Sequence, residues 1–122
     1  MNSVTSVVEL VARAVARAPD AAAVEEQSAR GERRVLSYGE LWERAGALAT
    51  SLRVAPGDRV GVSVPRGADT IVAMLGIWRA GACVVPLPPE VPGPRRARIA
   101  EEVACRRILE VLPSGPNVGS AG

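Results

Sequence analysis

Apolar residues recur every three or four positions in several parts of the chain, which is the period of one face of an α-helix. Residues 4–18 place Val8, Val11 and Val15 on one face, and Pro19 ends this helix because proline interrupts the backbone hydrogen-bond ladder. A second helix begins after Ser37, because Ser37 and Glu40 have the spacing of a capping box. Its apolar face consists of Leu41, Ala45, Leu48 and Leu52, and a third helix, ended by Gly81, carries Ile71, Met74, Leu75 and Trp78.

Strands are predicted where the apolar period changes to two or where short apolar runs occur. Residues 59–64 alternate with valine at every second position, and residues 83–87 form a continuous run typical of a buried parallel strand. A fourth helix over 95–104 and a last strand over 107–112 follow a proline-rich loop. Nearer the amino terminus, residues 21–26 and the strand containing Val35 and Leu36 are expected to form a hairpin around a polar turn.

From residue 58 onward, strands and helices alternate, and strands joined through helices form a parallel sheet. The pattern therefore predicts an α/β fold, with a mostly parallel sheet between two layers of helices. Residues 113–122 read PSGPNVGSAG, and this composition predicts a disordered tail.

The composition excludes several kinds of chemistry from these 122 residues. They contain no His, hence no imidazole base or histidine metal site, and all fifteen basic residues are Arg, hence no lysine Schiff base or phosphate-loop lysine. A net charge of +2 is too small to indicate nucleic-acid binding. Cys83 and Cys105 lack metal-site spacing and are interpreted as reduced, buried thiols of a cytoplasmic protein. No apolar run approaches the roughly 20 residues that span a bilayer.

One group of arginines, Arg95, Arg96 and Arg98, has two interpretations. Three guanidinium groups so close in sequence could bind a phosphate. They are also what the solvated face of a helix contains, and this second interpretation is preferred.

Four sequence segments extend the interpretation further. Residues 36–41 read LSYGEL, residues 56–62 read PGDRVGV, residues 64–67 read VPRG and residues 79–87 read RAGACVVPL; Pro92 and Arg95 follow at a matching spacing. In order and spacing these segments resemble the first core motifs of nonribosomal peptide synthetase adenylation domains and of the related acyl-CoA synthetases. The resemblance covers roughly residues 7–112. The departures are Trp78-Arg79 in place of Leu-Lys, Cys83-Val84 in place of Ala-Tyr, and Pro88 in place of Asp.

This resemblance implies that residues 4–112 form part of the N-terminal lobe of an adenylate-forming enzyme. Such enzymes use ATP and Mg²⁺ to convert an amino or carboxylic acid into an acyl-adenylate and pyrophosphate. Their phosphate-binding loop and catalytic lysine have no counterpart in these residues. We therefore expect no catalytic, cofactor-binding or metal-binding residue in this chain, no cofactor bound by the chain alone, and no activity without other residues.

Three functional alternatives remain open from the sequence. The chain is half of a split enzyme, an inactive truncated remnant, or a non-catalytic binding module that stabilises a separate synthetase. The expected partner is a synthetase that supplies the missing lobes, or a second copy of the chain. Neither nucleic acid nor a membrane is expected as a partner.

Overall fold

The computed structural model describes residues 6–27, 30–65 and 67–110, and these residues form four helices and five strands. In chain order the elements are α1 (Val7–Arg17), β1 (Ala22–Gln27), β2 (Arg33–Ser37), α2 (Tyr38–Leu52), β3 (Arg59–Val62), α3 (Ala68–Arg79), β4 (Cys83–Pro86), α4 (Gly93–Glu102) and β5 (Cys105–Leu109). The predicted tail, residues 113–122, lies outside the described residues. No described helix has the length and apolar composition that crossing a membrane requires.

The strands form two sheets. β1 and β2 make the predicted antiparallel hairpin, and β3, β4 and β5 make a parallel sheet in the order β4-β3-β5. Val60 and Val62 of β3 face α2 and α3 in the core. Arg59 and Ser63 alternate with these valines. Arg59 Nη1 donates to the Val103 carbonyl oxygen at the end of α4, and Ser63 Oγ accepts from Arg96 Nη1 of α4. Helix α4 therefore lies on the opposite face, and the predicted three-layer α/β fold is confirmed.

Side-chain caps start the first two helices. Before α2, the Glu40 N–H donates to Ser37 Oγ at 3.1 Å and the Ser37 N–H donates to Glu40 Oε1 at 2.8 Å. This is the predicted capping box, in which two otherwise unpaired backbone donors are satisfied. Ser6 and Glu9 form a second capping box before α1.

The core lies between α2, α3 and one face of the parallel sheet. It contains the predicted apolar face of α2 and the three alternating valines Val60, Val62 and Val64. Gly76 brings α3 close to α2, since a Cβ at this position would lie 2.7 Å from a methyl group of Leu48 and 3.1 Å from the carbonyl oxygen of Ala45. The two helices thus pack at a distance that only glycine permits here.

The apolar face predicted for α3 is partly wrong. Ile71 is 42% exposed and Trp78 is half-buried, whereas Val72, Ala73 and Ile77 are buried together with Leu75. The reason is that α3 is covered on two sides, by α2 and by the sheet. Its buried surface is therefore wider than a single stripe and is centred away from Ile71 and Trp78.

The burial predicted for β4 and some element bounds also differ from the sequence expectation. The prediction that β4 is buried on both sides is wrong. The described sheet has the order β4-β3-β5, so β4 lies at its edge with a strand on one side only, and its residues are half-buried or exposed. β5 begins at Cys105, two residues earlier than predicted. The register shift opposite Arg59 and Val60 inserts Arg106 as an extra residue, and this bulge obscures the alternation in the sequence.

Candidate functional site at the carboxyl end of the sheet

The carboxyl end of β3 is where the chain reverses its direction across the sheet. The connection through α3 leads from β3 to its neighbour β4. The connection through α4 then leads from β4 back across β3 to β5, on the opposite face of the sheet. Open α/β sheets bind ligands in the crevice beyond such a point, often with a phosphate at the following helix N-terminus. In this chain the N-terminus of α3, at Gly67 and Ala68, is the helix end that occupies this position.

A carboxylate of the chain itself closes this helix end. Glu26, at the end of the hairpin strand β1, accepts a hydrogen bond of 2.7 Å from the Ala68 N–H. Its carboxylate also lies beside Gly67, where a Cβ would be 3.0 Å from Oε2. A negative charge at a helix N-terminus is stabilised by the unpaired N–H groups and the helix dipole. Glu26 thus occupies the place that an anionic ligand would take.

Arg34 strengthens this contact between the hairpin and α3. Its Nη1 lies 3.2 Å from Asp69 Oδ1 and 4.0 Å from Glu26 Oε1, and all three side chains are about one third exposed. The guanidinium offsets the repulsion between two neighbouring carboxylates. The cluster is therefore a satisfied polar network that fixes the hairpin against the first turn of α3.

Beside this network, an apolar cleft opens between α3 and the loop after β4. It has a volume of about 140 Å³, and its walls are Val62, Val64, Thr70, Met74, Val84, Pro86, Leu87, Pro88, Pro89 and Glu90. The Thr70 hydroxyl donates to the carbonyl oxygen of Pro65 and is already satisfied. With one carboxylate and no other charged group in its walls, the cleft suits an apolar side chain better than a nucleotide.

The structure separates the three arginines of α4. Arg96 donates through Nη1 to Ser63 Oγ and through Nε to the Val91 carbonyl oxygen, both at 2.8 Å. The interpretation of Arg96 as solvated surface is therefore wrong, because this side chain ties α4 and the proline-rich loop to the end of β3. Arg95 and Arg98 are exposed on α4, which agrees with their interpretation as the solvated face of a helix. The three guanidinium groups do not converge on one phosphate site.

Arg79, at the position where the resembling motif carries lysine, has a packing role. Its guanidinium carbon lies 3.8 Å from the centre of the Trp42 ring, and Nη1 donates to the Trp42 carbonyl oxygen at 2.8 Å. A planar guanidinium can make both contacts at once, which a lysine ammonium cannot. Gly46 leaves the space for it, since a Cβ there would lie 2.5 Å from Arg79 Nη1.

The two cysteines flank Arg59 on neighbouring strands. Cys83 and Cys105 both pair with Arg59 in the register, so two strand spacings, about 9–10 Å, separate their backbones. This separation is too large for a disulfide. Burial raises the pKa of the Cys105 thiol, although Arg59 opposes the shift, while Cys83 is exposed, contrary to the expectation of burial. In the described ranges, no three His, Cys, Asp or Glu residues form a metal-binding group.

The polar contacts at this end of the sheet were missed by the sequence analysis. Glu26 is 42 positions from Ala68, Arg34 is 35 positions from Asp69, and Arg96 is 33 positions from Ser63. No local pattern relates residues so far apart. The expectation that the chain carries no catalytic or cofactor-binding residue stays a prediction.

Comparisons with known proteins agree with the fold. The sequence profile of the family described as AMP-binding enzyme matches residues 11–118. Two synthetases of Pseudomonas aeruginosa are similar to the chain: pyochelin synthetase PchE is 46% identical over 78% of the chain, and AMB antimetabolite synthetase AmbB is 40% identical over 73%. The NpsA N-terminal subdomain of Klebsiella oxytoca superposes with a TM-score of 0.75 over 92% of the chain at 24% identity, which is a likeness of fold alone.

The chain is much shorter than these proteins. It spans 6% of the length of PchE, 7% of AmbB and 30% of the NpsA subdomain. The family match, over residues 11–118, nevertheless covers most of the described residues, including the parallel sheet between helices. The chain belongs to the AMP-binding enzyme family and carries an N-terminal part of an adenylation domain.

Proposed function

We propose that these residues are the N-terminal scaffold of an ATP-dependent adenylation domain in nonribosomal peptide synthesis or a related secondary-metabolite pathway. The complete reaction joins an amino or carboxylic acid to AMP and releases pyrophosphate. In this proposal the described residues pack against the rest of the domain, and residues outside the chain bind the nucleotide. The similarity to PchE and AmbB, both named as synthetases, supports the class of reaction.

The main support for nucleotide binding by residues outside this chain is the contact between Glu26 and the N-terminus of α3. The helix end at the carboxyl edge of the sheet offers its N–H groups to a carboxylate of the same chain at 2.7 Å. An ATP phosphate placed there would meet Glu26 and Asp69 at close range. Like charges at such distances repel, so the nucleotide is bound elsewhere in the complete domain.

The residues present do not fit ATP or Mg²⁺, the cofactors of the family. Mg²⁺ prefers several oxygen ligands, and no such group of acidic side chains exists in the described residues. The 122 residues also contain no lysine, the residue type that the resembling family uses in catalysis. No catalytic step is therefore assigned to a residue of this chain.

The apolar cleft beside α3 is the proposed contact with the rest of the domain. Met74 and Pro86 lie in its wall, and the cleft is open to solvent. Covering an apolar surface of this kind with another apolar surface removes both from water and so favours association. The scaffold thus contributes by holding a second lobe in place.

The test is pyrophosphate exchange, measured with the purified chain alone and with a second polypeptide that carries the remainder of an adenylation domain. The chain alone is expected to show no exchange with any acid, and exchange is expected when both polypeptides are present. Exchange above background by the chain alone would contradict the proposal.

A matched pair of variants locates the contact. Met74→Gln, in the cleft, is expected to lower the reconstituted exchange at least about tenfold, which corresponds to a loss of about 1.4 kcal/mol of association free energy. Ile71→Gln, on the same helix but 42% exposed and outside the cleft, is expected to leave it unchanged. If the chain raises the thermal stability of an intact synthetase without restoring exchange to the incomplete one, it is instead a non-catalytic stabilising module.

A further inference from the structure

The size of the apolar cleft beside α3 limits what it can hold. Its volume is about 140 Å³, and apolar cavities of about 150 Å³ accept a benzene ring. Met74 is half-buried in the cleft wall, and its flexible thioether side chain can adjust to the shape of an incoming group. The cleft therefore has room for one large apolar side chain.

Glu90 adds a negative charge at the surface of this cleft. It is the only charged residue among the described residues that line the cleft, and it is exposed. Its side chain forms no hydrogen bond or ion pair with another described residue. A carboxylate beside an apolar cleft favours an occupant that carries a positive charge next to its apolar group.

The loop that carries Glu90 is held in place on both the local and the tertiary level. The Val91 N–H donates to the Pro88 carbonyl oxygen at 3.0 Å and closes a four-residue turn. Pro89 occupies the second position of this turn, where the ring presets the backbone φ angle. Arg96 Nε donates to the Val91 carbonyl oxygen at 2.8 Å and anchors the end of the turn to α4. A wall fixed in this way loses little conformational entropy when a partner binds.

We propose that the cleft binds one apolar side chain of leucine or phenylalanine size from the second lobe, and that Glu90 pairs with a basic residue beside it. The inference rests on the proposed function, because it names the group by which the second lobe is held. Burial of the apolar side chain supplies most of the affinity. The exposed ion pair adds less and discriminates between cationic and anionic partners.

Three small molecules test the cleft without a second polypeptide. 2-Phenylethylammonium carries a ring and a cation, 2-phenylethanol carries the ring without a charge, and phenylacetate carries the ring with a negative charge. Labelling with methyl-¹³C methionine gives two signals, because the chain contains Met1 and Met74. The Met74 signal is expected to shift with dissociation constants of about 1–10 mM, while a shift shared with Met1 would report a nonspecific effect. 2-Phenylethylammonium should bind about threefold more tightly than the alcohol, and phenylacetate should bind most weakly.

A matched pair of variants tests the role of the charge. Glu90→Gln keeps the size of the side chain and should abolish the preference for the cation. Glu43→Gln makes the same change of charge on an exposed residue of α2 outside the cleft, and it should keep the threefold preference. A Met74 signal that responds to none of the three molecules overturns the proposal, as does a preference for the cation that persists in Glu90→Gln.

The second polypeptide, which carries the remainder of an adenylation domain, tests the identity of the occupant. Once it is present in excess, 2-phenylethylammonium should no longer shift the Met74 signal, because the cleft is occupied. A Met74 signal that still responds to the small molecule overturns the proposed occupant, even if pyrophosphate exchange is restored. Exchange measured on the same mixture decides the proposed function separately, so the two failures are distinguishable.

Discussion

At the scale of single residues, long-range polar contacts attach the hairpin and α4 to the body of the molecule. Glu26 holds the start of α3, and Arg96 holds the end of β3. Each contact satisfies a backbone or buried hydroxyl group that would otherwise lack a partner. Ser63, whose side chain receives Arg96, is only 5% exposed. Loss of either contact leaves an unpaired polar group, which is costly in a buried position.

Glu26→Ala should lower the free energy of unfolding by about 1 kcal/mol, because a helix loses the acceptor at its N-terminus. Glu26→Gln should cost less, since its amide oxygen still accepts from Ala68 while the charge is lost. Urea unfolding at neutral pH measures both.

The control for these variants is Glu25→Ala. Glu25 pairs with Arg33 on the exposed side of the hairpin, and exposed ion pairs contribute little to stability. If Glu25→Ala and Glu26→Ala were equally destabilising, the contact with α3 would not be the cause.

At the scale of elements, the packing of α2 against α3 depends on two glycines with different surroundings. Gly76 faces the backbone and side chains of α2, which cannot retreat without moving the helix. Gly46 faces the tip of the Arg79 side chain, which can rotate away. The same substitution at these two positions therefore tests how rigid each contact is.

Gly76→Ala should destabilise the fold by about 1–3 kcal/mol, the usual cost of forcing an extra methyl group into a packed interface. Gly46→Ala should be close to neutral, because alanine is about 1 kcal/mol better than glycine in a helix and offsets the displacement of Arg79. Thermal unfolding followed by circular dichroism compares the two. A Gly76 variant as stable as the Gly46 variant would show that the helices can separate at little cost.

At the scale of the whole molecule, the two faces of the parallel sheet are covered unequally. On one face, α3 buries six residues: Ala68, Val72, Ala73, Leu75, Gly76 and Ile77. On the other face, α4 buries only Ala100 and begins without a side-chain cap. A parallel sheet is most stable with both faces covered, so α4 is the weaker layer.

Amide hydrogen exchange should therefore be faster throughout α4 than in the middle of α3, because local opening of α4 exposes little apolar surface. Mass spectrometry of exchanged peptides gives the comparison directly. Equal protection in the two helices would mean that α4 unfolds only together with the core.

Much of the architecture follows from local patterns. The Ser37 and Glu40 spacing, the alternating valines of β3 and the breaks at Pro19 and Gly81 act through neighbouring residues, so their consequences could be predicted from the sequence. The exposed Ile71 and the edge position of β4 could not, since both depend on which elements pack around them. The bulge at Arg106 likewise depends on pairing with β3.

The features of the chain that bear on the candidate site also fall into two groups, those that residue type and spacing predict and those that depend on packing. The family, the α/β class, the capping of α2 and the absence of lysine and histidine from these residues could all be read from the sequence, because each is a matter of residue type and spacing. Only the packing of the elements shows that Glu26 closes the N-terminus of α3, that Arg96 connects α4 to the end of β3, and that β4 lies at an edge of the described sheet. These features join residues more than 30 positions apart or depend on the order of strands in the sheet, and neither is encoded in a local pattern.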